Sequence, residues 1–342
     1  MPEINLYKPL LRPVLFRLNP DHVHNRATHT GSILGGSIIT RKIIKLFFNY
    51  ENPKLNTSVF NLEFKNPLGL AGGFDKNCQL ISLMPAIGFG FTEVGSITYH
   101  PYHGNQKPWN TRLVNDQALI INYGLKNLGA LMLKERIAKQ KRFCPLIINI
   151  AKTNNPEIKG DAGIEDYLSS FKELQPLADI ININISCPNS ADGVLYSESP
   201  ELLEKLLRKL SREIITKPIV LKLKPDISDE AIYKITGFSK KYPFIKGFIL
   251  TNLTNNRVGL KTPNISHLKG GISGKPSQKL SDEMIKKVYS EVKDKKTIIG
   301  CGGIFTAEDA YKKILLGSSL VQLITGMIYN GPGIAKTINK GL

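Results

Sequence analysis

The sequence predicts an α/β protein built as a (β/α)8 barrel. Three observations carry that reading: eight short apolar runs follow one another from residue 66, stretches with helical spacing lie between them, and the runs are apolar almost without interruption. Strands that alternate polar and apolar residues mark a half-solvated antiparallel sheet, whereas continuous apolar strands belong to a parallel sheet covered on both faces. The runs are NPLGLAGG (66–73), FTEVGSI (91–97), PLIINIA (145–151), IININIS (180–186), PIVLKL (218–223), GFILTN (247–252), TIIGCGG (297–303) and SLVQLIT (319–325). Eight such units in series close a barrel rather than an open doubly wound sheet. Among the intervening stretches, PELLEKLLRKLSREI follows Ser199 and DEAIYKITGFSKKY follows Ser228. Each serine is expected to cap its helix by accepting a backbone N–H.

The 342 residues suffice for such a barrel plus an extension, and 42% hydrophobic content is ordinary for a globular chain. No apolar run reaches the roughly 18 residues of a membrane span, and the N-terminus, with Glu3 and no small-residue cleavage site, does not read as a signal peptide. The chain is therefore expected to stay in the cytosol. Its four cysteines, Cys78, Cys144, Cys187 and Cys301, are far apart, which argues against a disulfide framework and a zinc site. A net charge of +18 fits an anionic partner such as nucleic acid, acidic lipid or a phosphorylated ligand, and equally a solvated basic surface.

Barrels of this kind place their chemistry at the C-terminal ends of the strands. Those ends carry Gly72 and Gly73, Ser96, Asn149, Asn184 with Cys187, Lys222, Thr251 with Asn252, Gly302 with Gly303, and Thr325 with Gly326. The last two lie where backbone N–H groups freed by glycine can hold a phosphate, with GGISGKP (270–276) as a further donor-rich loop. An ammonium such as Lys222 in a barrel mouth needs an anion to offset its desolvation. A phosphate-bearing cofactor whose ring gains negative charge satisfies all three features, and flavin mononucleotide (FMN) fits.

The segments NPLGLAGGFDKN, GFGFTEVGSIT, NISCPNS, GGISGKP and IIGCGGI, in this order and spacing, resemble those of the dihydroorotate dehydrogenases. The N-terminal YKPLLRPVLFRLNPDHVHNRATH is similar to the helical, membrane-associating extension of the quinone-reducing class, and Arg112 matches that class near its quinone tunnel. The resemblance implies an extension over residues 1–45 and an FMN barrel over 46–342. It implies oxidation of dihydroorotate to orotate in pyrimidine biosynthesis, with electrons passed to a quinone. It assigns FMN to Gly72, Gly73, Ser96, Asn149, Asn184, Lys222, Thr251, Gly274, Gly303, Ile324 and Thr325. The substrate falls to Lys76, Asn122, Asn184, Asn189 and Asn252. Cys187 takes the place of the base that removes a proton from C5, while Lys222 stabilises charge on the ring. No nucleic acid is expected as a partner, and the chain is expected to lie peripherally on the cytoplasmic face of a membrane. The first 50 residues support an acidic lipid surface, carrying seven Lys/Arg against Glu3 and Asp21. RKIIKLFF (41–48) reads equally as an interfacial segment or a helix packed on the barrel.

Three positions depart from the family pattern. Cys187 stands where the quinone class carries serine. A thiol, with a pKa of about 8.5, is the better base near neutrality. Ile121 occupies the place of a substrate asparagine, which shifts to Asn122, and Leu253 the place of a threonine. These leave open a changed substrate or a flavin-binding protein without turnover. A dihydrouridine synthase-like RNA enzyme is a further alternative, disfavoured because only about 16 residues follow the eighth strand. His22, His24 and His29 lack a carboxylate or cysteine partner, so no metal site is expected.

Overall fold

The computed structural model describes residues 6–186 and 195–342. Its centre is a closed barrel of eight parallel strands: β1 (Leu68–Asp75), β2 (Phe91–Ile97), β3 (Leu146–Ile150), β4 (Ile180–Asn184), β5 (Ile219–Leu223), β6 (Ile245–Leu250), β7 (Thr297–Cys301) and β8 (Leu320–Leu323). Each overlaps one of the expected runs. Neighbours around the ring are neighbours in sequence, and the ring closes where Val321 of β8 pairs with Leu68 of β1. Every residue of β3, β4 and β5 is buried, which explains the nearly continuous apolar runs. A hairpin of Thr57–Val59 and Leu62–Phe64 plugs the N-terminal mouth. Its two turn residues, Phe60 and Asn61, both have positive φ, and the turn sends Val59 and Phe64 into the barrel, where Phe64 meets Phe91 edge-on at 5.6 Å.

Among the described residues, three α-helices precede the barrel: α1 (Arg12–Arg17), α2 (Pro20–Gly36) and α3 (Ile38–Phe48). The Asn19 side chain caps α2 by accepting from the N–H groups of Asp21 and His22, with Pro20 at the first helical position. Gly31 and Gly35 let α2 approach Leu80 and Leu83; a Cβ on Gly31 would lie 2.5 Å from a Leu80 methyl. Helix α3 runs through Phe48, across the expected boundary at residue 45. Its sequence supports both readings given to it. Ile44 and Phe48 pack on the barrel, whereas Ile39, Ile43, Leu46 and Phe47 stay exposed beside Arg41, Lys42 and Lys45.

The outer layer comprises α4 (Ala130–Ala138), α5 (Gly160–Leu174), α6 (Pro200–Leu210), α7 (Asp229–Lys241), α8 (Gln278–Val292) and α9 (Ala307–Leu315), with α10 (Thr325–Asn330) and α11 (Ile334–Gly341) closing the chain. Helix α6 buries Leu203, Leu206, Leu207 and Leu210 along one stripe, each contributing about 2 kcal/mol of transfer free energy. Ser228 caps α7 through Ala231 N–H at 3.2 Å. Ser199 corrects the expectation: its side chain makes no cap bond, and Pro200 with its preset φ starts α6 instead. Over the C-terminal mouth lies an antiparallel sheet of Asn110–Leu113, Ala118–Ile121 and Gly271–Gly274. GGISGKP is thus largely an edge strand of this lid rather than a loop. Among the described residues, no helix is long and apolar enough to cross a membrane.

Candidate active site

The strand ends meet at a cleft between barrel and lid. Gly72, Gly73, Lys222, Thr251, Gly303, Ile324 and Thr325 line it from the barrel, and Gly274 from the lid. Two of the expected substrate residues, Lys76 and Asn252, also face it. Ser96 and Asn184 lie behind this lining in one hydrogen-bonded group. Asn184 Nδ2 donates to Ser96 Oγ at 2.9 Å, while Asn184 Oδ1 accepts from Ser186 N–H at 3.2 Å and from Asn252 Nδ2 at 3.4 Å. Asn252 also donates to Ser186 O and Oγ, so it is tied to the end of β4 where the Cys187 segment begins. Cys187 and Asn189 themselves lie outside the described residues.

Beneath the cleft is a carboxylate that the strand-end reading missed. Glu93, fully buried on β2, accepts at Oε1 from Asn149 Nδ2 (2.6 Å) and Asn182 Nδ2 (2.7 Å), and at Oε2 from Gln322 Nε2 (2.8 Å). Lys222 Nζ lies 3.6 Å from the same Oε1. A buried carboxylate requires such company, because desolvation without partners costs several kcal/mol. The signal was present in the sequence: Glu93, Asn182 and Gln322 are polar residues flanked by apolar or small ones inside the strand runs rather than at their ends. Gly72 makes this floor possible, since a Cβ there would sit 2.4 Å from Glu93 Oε1. The Oδ1 atom of Asn149 is buried without a partner among the described residues.

One side wall is cationic and aromatic. Lys76, half-buried just past β1, places Nζ 3.8 Å from the centroid of the Tyr123 ring and 3.3 Å from His24 Nε2. Desolvation pushes the Lys76 ammonium down to about 7, against the opposing pull of Asp75 and Asp21. Burial, then the charges of Lys76 and Lys126, hold His24 well below the ordinary histidine range. Asp21 accepts from the Tyr123 hydroxyl at 3.0 Å, and burial followed by that carboxylate raises the phenol. His24 was not among the expected site residues, because nothing in a helical sequence marks which single side chain reaches another element's pocket.

Asn122, expected at the substrate, is not brought there. Its amide accepts from Asn105 at 3.0 Å and donates to Gln106 O at 3.4 Å, while Leu119 and Ile121 face the cleft. The two-residue period of the lid strand dictates this: residues 119 and 121 share one face, and Ile120 belongs to an apolar cluster on the other. Leu253 also lines the cleft, packed over Gly271, where a Cβ would lie 2.6 Å from its own. Toward α1 the walls become apolar. Phe16 packs with Leu119, Phe305 and Tyr329 and continues to Ile121 and Ile328, meeting Tyr329 edge-on at 5.2 Å. Arg112 joins lid to extension by donating to Leu18 O at 2.8 Å and to Phe16 O at 3.3 Å, with its guanidinium 4.7 Å from the Phe16 ring centroid.

Comparison with known proteins gives a consistent result. The sequence pattern of the family described as dihydroorotate dehydrogenase matches residues 54–342. The dihydroorotate dehydrogenase (quinone) of Trichodesmium erythraeum is 39% identical, covering 99% of this chain and 94% of that protein. That of Mycobacterium tuberculosis is 36% identical, covering 98% and 92%. The crystal structure of DHODH from Eimeria tenella in complex with ferulenol superimposes with a TM-score of 0.82 at 28% identity, covering 95% of this chain and 90% of that one. Its ligand-free form gives 0.79 at the same identity.

Proposed function

The chain belongs to the dihydroorotate dehydrogenase family, and on that premise we propose that it oxidises dihydroorotate to orotate and passes the electrons to a quinone. Family membership displaces the RNA-modifying alternative and implies a flavin; FMN is our finer assignment. The observation that carries this reading is one cleft that brings together Lys222, paired with the buried Glu93, Asn252, tied to Asn184, the Gly302–Gly303 turn after β7 and the start of α10 after β8. The residues suit a flavin. The Asn149 Oδ1, without a partner among the described residues, can accept from a ring N–H, and Gly303, at φ +69° and backed by Gln278, presents backbone close to the cleft as a phosphate site needs.

Bound there, FMN would accept the hydride from C6 of dihydroorotate and deliver two electrons to the quinone. The chain's own residues do the rest. Gly274, Gly303, Ile324 and Thr325 would hold the phosphate end, and Gly72, Gly73, Ser96, Asn149, Asn184, Lys222 and Thr251 the ring. Lys222 brings positive charge to the ring, and Glu93 fixes where that charge sits. Lys76 offers an ammonium to the substrate carboxylate, and the amides of Asn184, Asn189 and Asn252 read carbonyl and N–H groups together. Cys187 would take the C5 proton onto sulfur. Helices α1 to α3 divide from the barrel near residues 45–48 as its docking extension. Exposed Leu10 and Leu11 just before α1, with exposed Val14, Ile39, Leu46 and Phe47 on these helices, are interleaved with bases and suit the surface of an acidic membrane. The apolar wall from Phe16 to Ile328 suits a quinone ring arriving from that side.

Turnover of dihydroorotate with a long-chain quinone in liposomes, together with release of FMN rather than FAD on heat denaturation, tests this reading. Ile121 and Leu253 support one second reading, a related dihydropyrimidine with a less polar edge. In that case flavin is retained but dihydroorotate does not bleach it.

A further inference from the structure

We propose that His24, carried by the membrane-docking extension, is a positioning residue for Lys76, so that the extension builds part of the dihydroorotate site as well as the quinone route. The inference rests on the reading of Lys76 as the lysine that meets the substrate carboxylate. An ammonium has three donors and sits on a flexible four-carbon stem, so something must aim it. Two directions around Lys76 Nζ are taken: His24 Nε2 at 3.3 Å and the face of Tyr123 at 3.8 Å. The rest of the head faces the cleft.

Both partners are themselves fixed. The His24 ring stands edge-on to Phe74 at 5.1 Å, on a helix locked to the barrel by its glycine contacts with Leu80 and Leu83. Tyr123 is held through its hydroxyl by Asp21, one turn before His24 on the same face of α2. The nearby Asp75 carboxylate cannot do the aiming, since its two oxygens accept from Gln79 and Leu80 N–H at 2.7 Å each. Lys126 places its ammonium over Trp109 at 3.7 Å and adds only repulsion. A neutral imidazole with its proton on Nδ1 therefore offers the lone pair that orients Lys76. The membrane-facing segment and the substrate lysine are thus joined by one hydrogen bond.

The test uses the full-length holoenzyme, with orotate affinity read from the flavin spectral shift and flavin bleaching by dihydroorotate followed anaerobically. His24→Ala is expected to weaken orotate and raise the half-saturating dihydroorotate concentration roughly tenfold, the scale of one hydrogen bond to a charged group. The limiting bleaching rate should change less than about threefold, as a ground-state positioning role requires. His24→Gln, which keeps an acceptor near the Nε2 position, should recover most of the loss. Orotate affinity unchanged in His24→Ala but lost in Lys76→Ala overturns the proposal and leaves Lys76 at the substrate. The same holds if His24→Ala slows only reoxidation by quinone. If Lys76→Ala binds orotate like wild type, the reading of Lys76 fails and the proposal falls with it.

Discussion

Replacing Glu93 with Gln removes one charge and almost nothing else from the barrel floor. The variant Oε1 can still accept from Asn149 and Asn182. The new amide nitrogen meets Gln322, whose Oε1 is buried without a partner among the described residues and can turn to accept from it. What is lost is the anion 3.6 Å from Lys222. At an effective dielectric of about 20 that attraction is about 5 kcal/mol, and breaking a buried pair by removing one partner costs about 3 to 5 kcal/mol. Glu93→Gln is therefore expected to lower unfolding free energy by about 3 kcal/mol in urea titrations of the flavin-free protein, with an unchanged m-value. Lys222→Met should cost a similar amount, and the double variant should cost less than the sum of the two singles by about 2 kcal/mol or more. A loss under about 1 kcal/mol for Glu93→Gln, or strict additivity in the cycle, would refute the view that Glu93 exists to hold Lys222.

Four further outcomes follow from the site. Cys187→Ala should keep flavin but slow its bleaching by at least about 100-fold, while Cys187→Ser retains partial activity that rises with pH; stopped-flow absorbance separates these from a structural cysteine. Ile121→Asn should tighten orotate about threefold to tenfold by adding a ring hydrogen bond, whereas Asn122→Ala should leave orotate affinity unchanged, and spectral titration of both variants checks the lid register. Lys76, held down to about 7, must be protonated to attract a carboxylate, so orotate affinity should be full at pH 6 and fall about tenfold per unit above pH 7 to 8; a flat profile to pH 9 would show that Lys76 stays charged or stands apart from the ligand. Leu46 and Phe47 are 76% and 64% exposed, so Leu46→Glu with Phe47→Glu should release the protein from anionic liposomes in co-sedimentation while leaving the orotate spectral shift intact.

Most of the barrel was legible because its strands are buried on both faces and cannot avoid being apolar. The lid was not. Its strands are four residues long, contain Gly271 and Gly274, and sit in stretches that look like loops until a partner strand pairs with them. At the site, the strand ends pointed to Lys222, Asn184, Thr251 and the glycines, because glycines, amides and a lysine stand out at the edges of apolar runs. Glu93 was overlooked for the opposite reason, being inside a strand, although an acid in a fully buried run always demands a partner. The exchange of Ile121 for Asn122 was decidable from pleat alone, once residues 118–121 are known to be a strand. His24 had no such signal, since its contact with Lys76 joins positions 52 residues apart through the packing of α2 on the barrel.

Oxidation of dihydroorotate in this cleft is read by mixing the oxidised holoenzyme anaerobically with dihydroorotate, in the absence of any quinone, and following the visible flavin absorbance. Rapid bleaching in a single turnover, restored on adding a quinone, is the expected result. A band that persists at saturating dihydroorotate, in a protein that retains full flavin, would contradict it and point to a different substrate in the pocket bounded by Ile121 and Leu253.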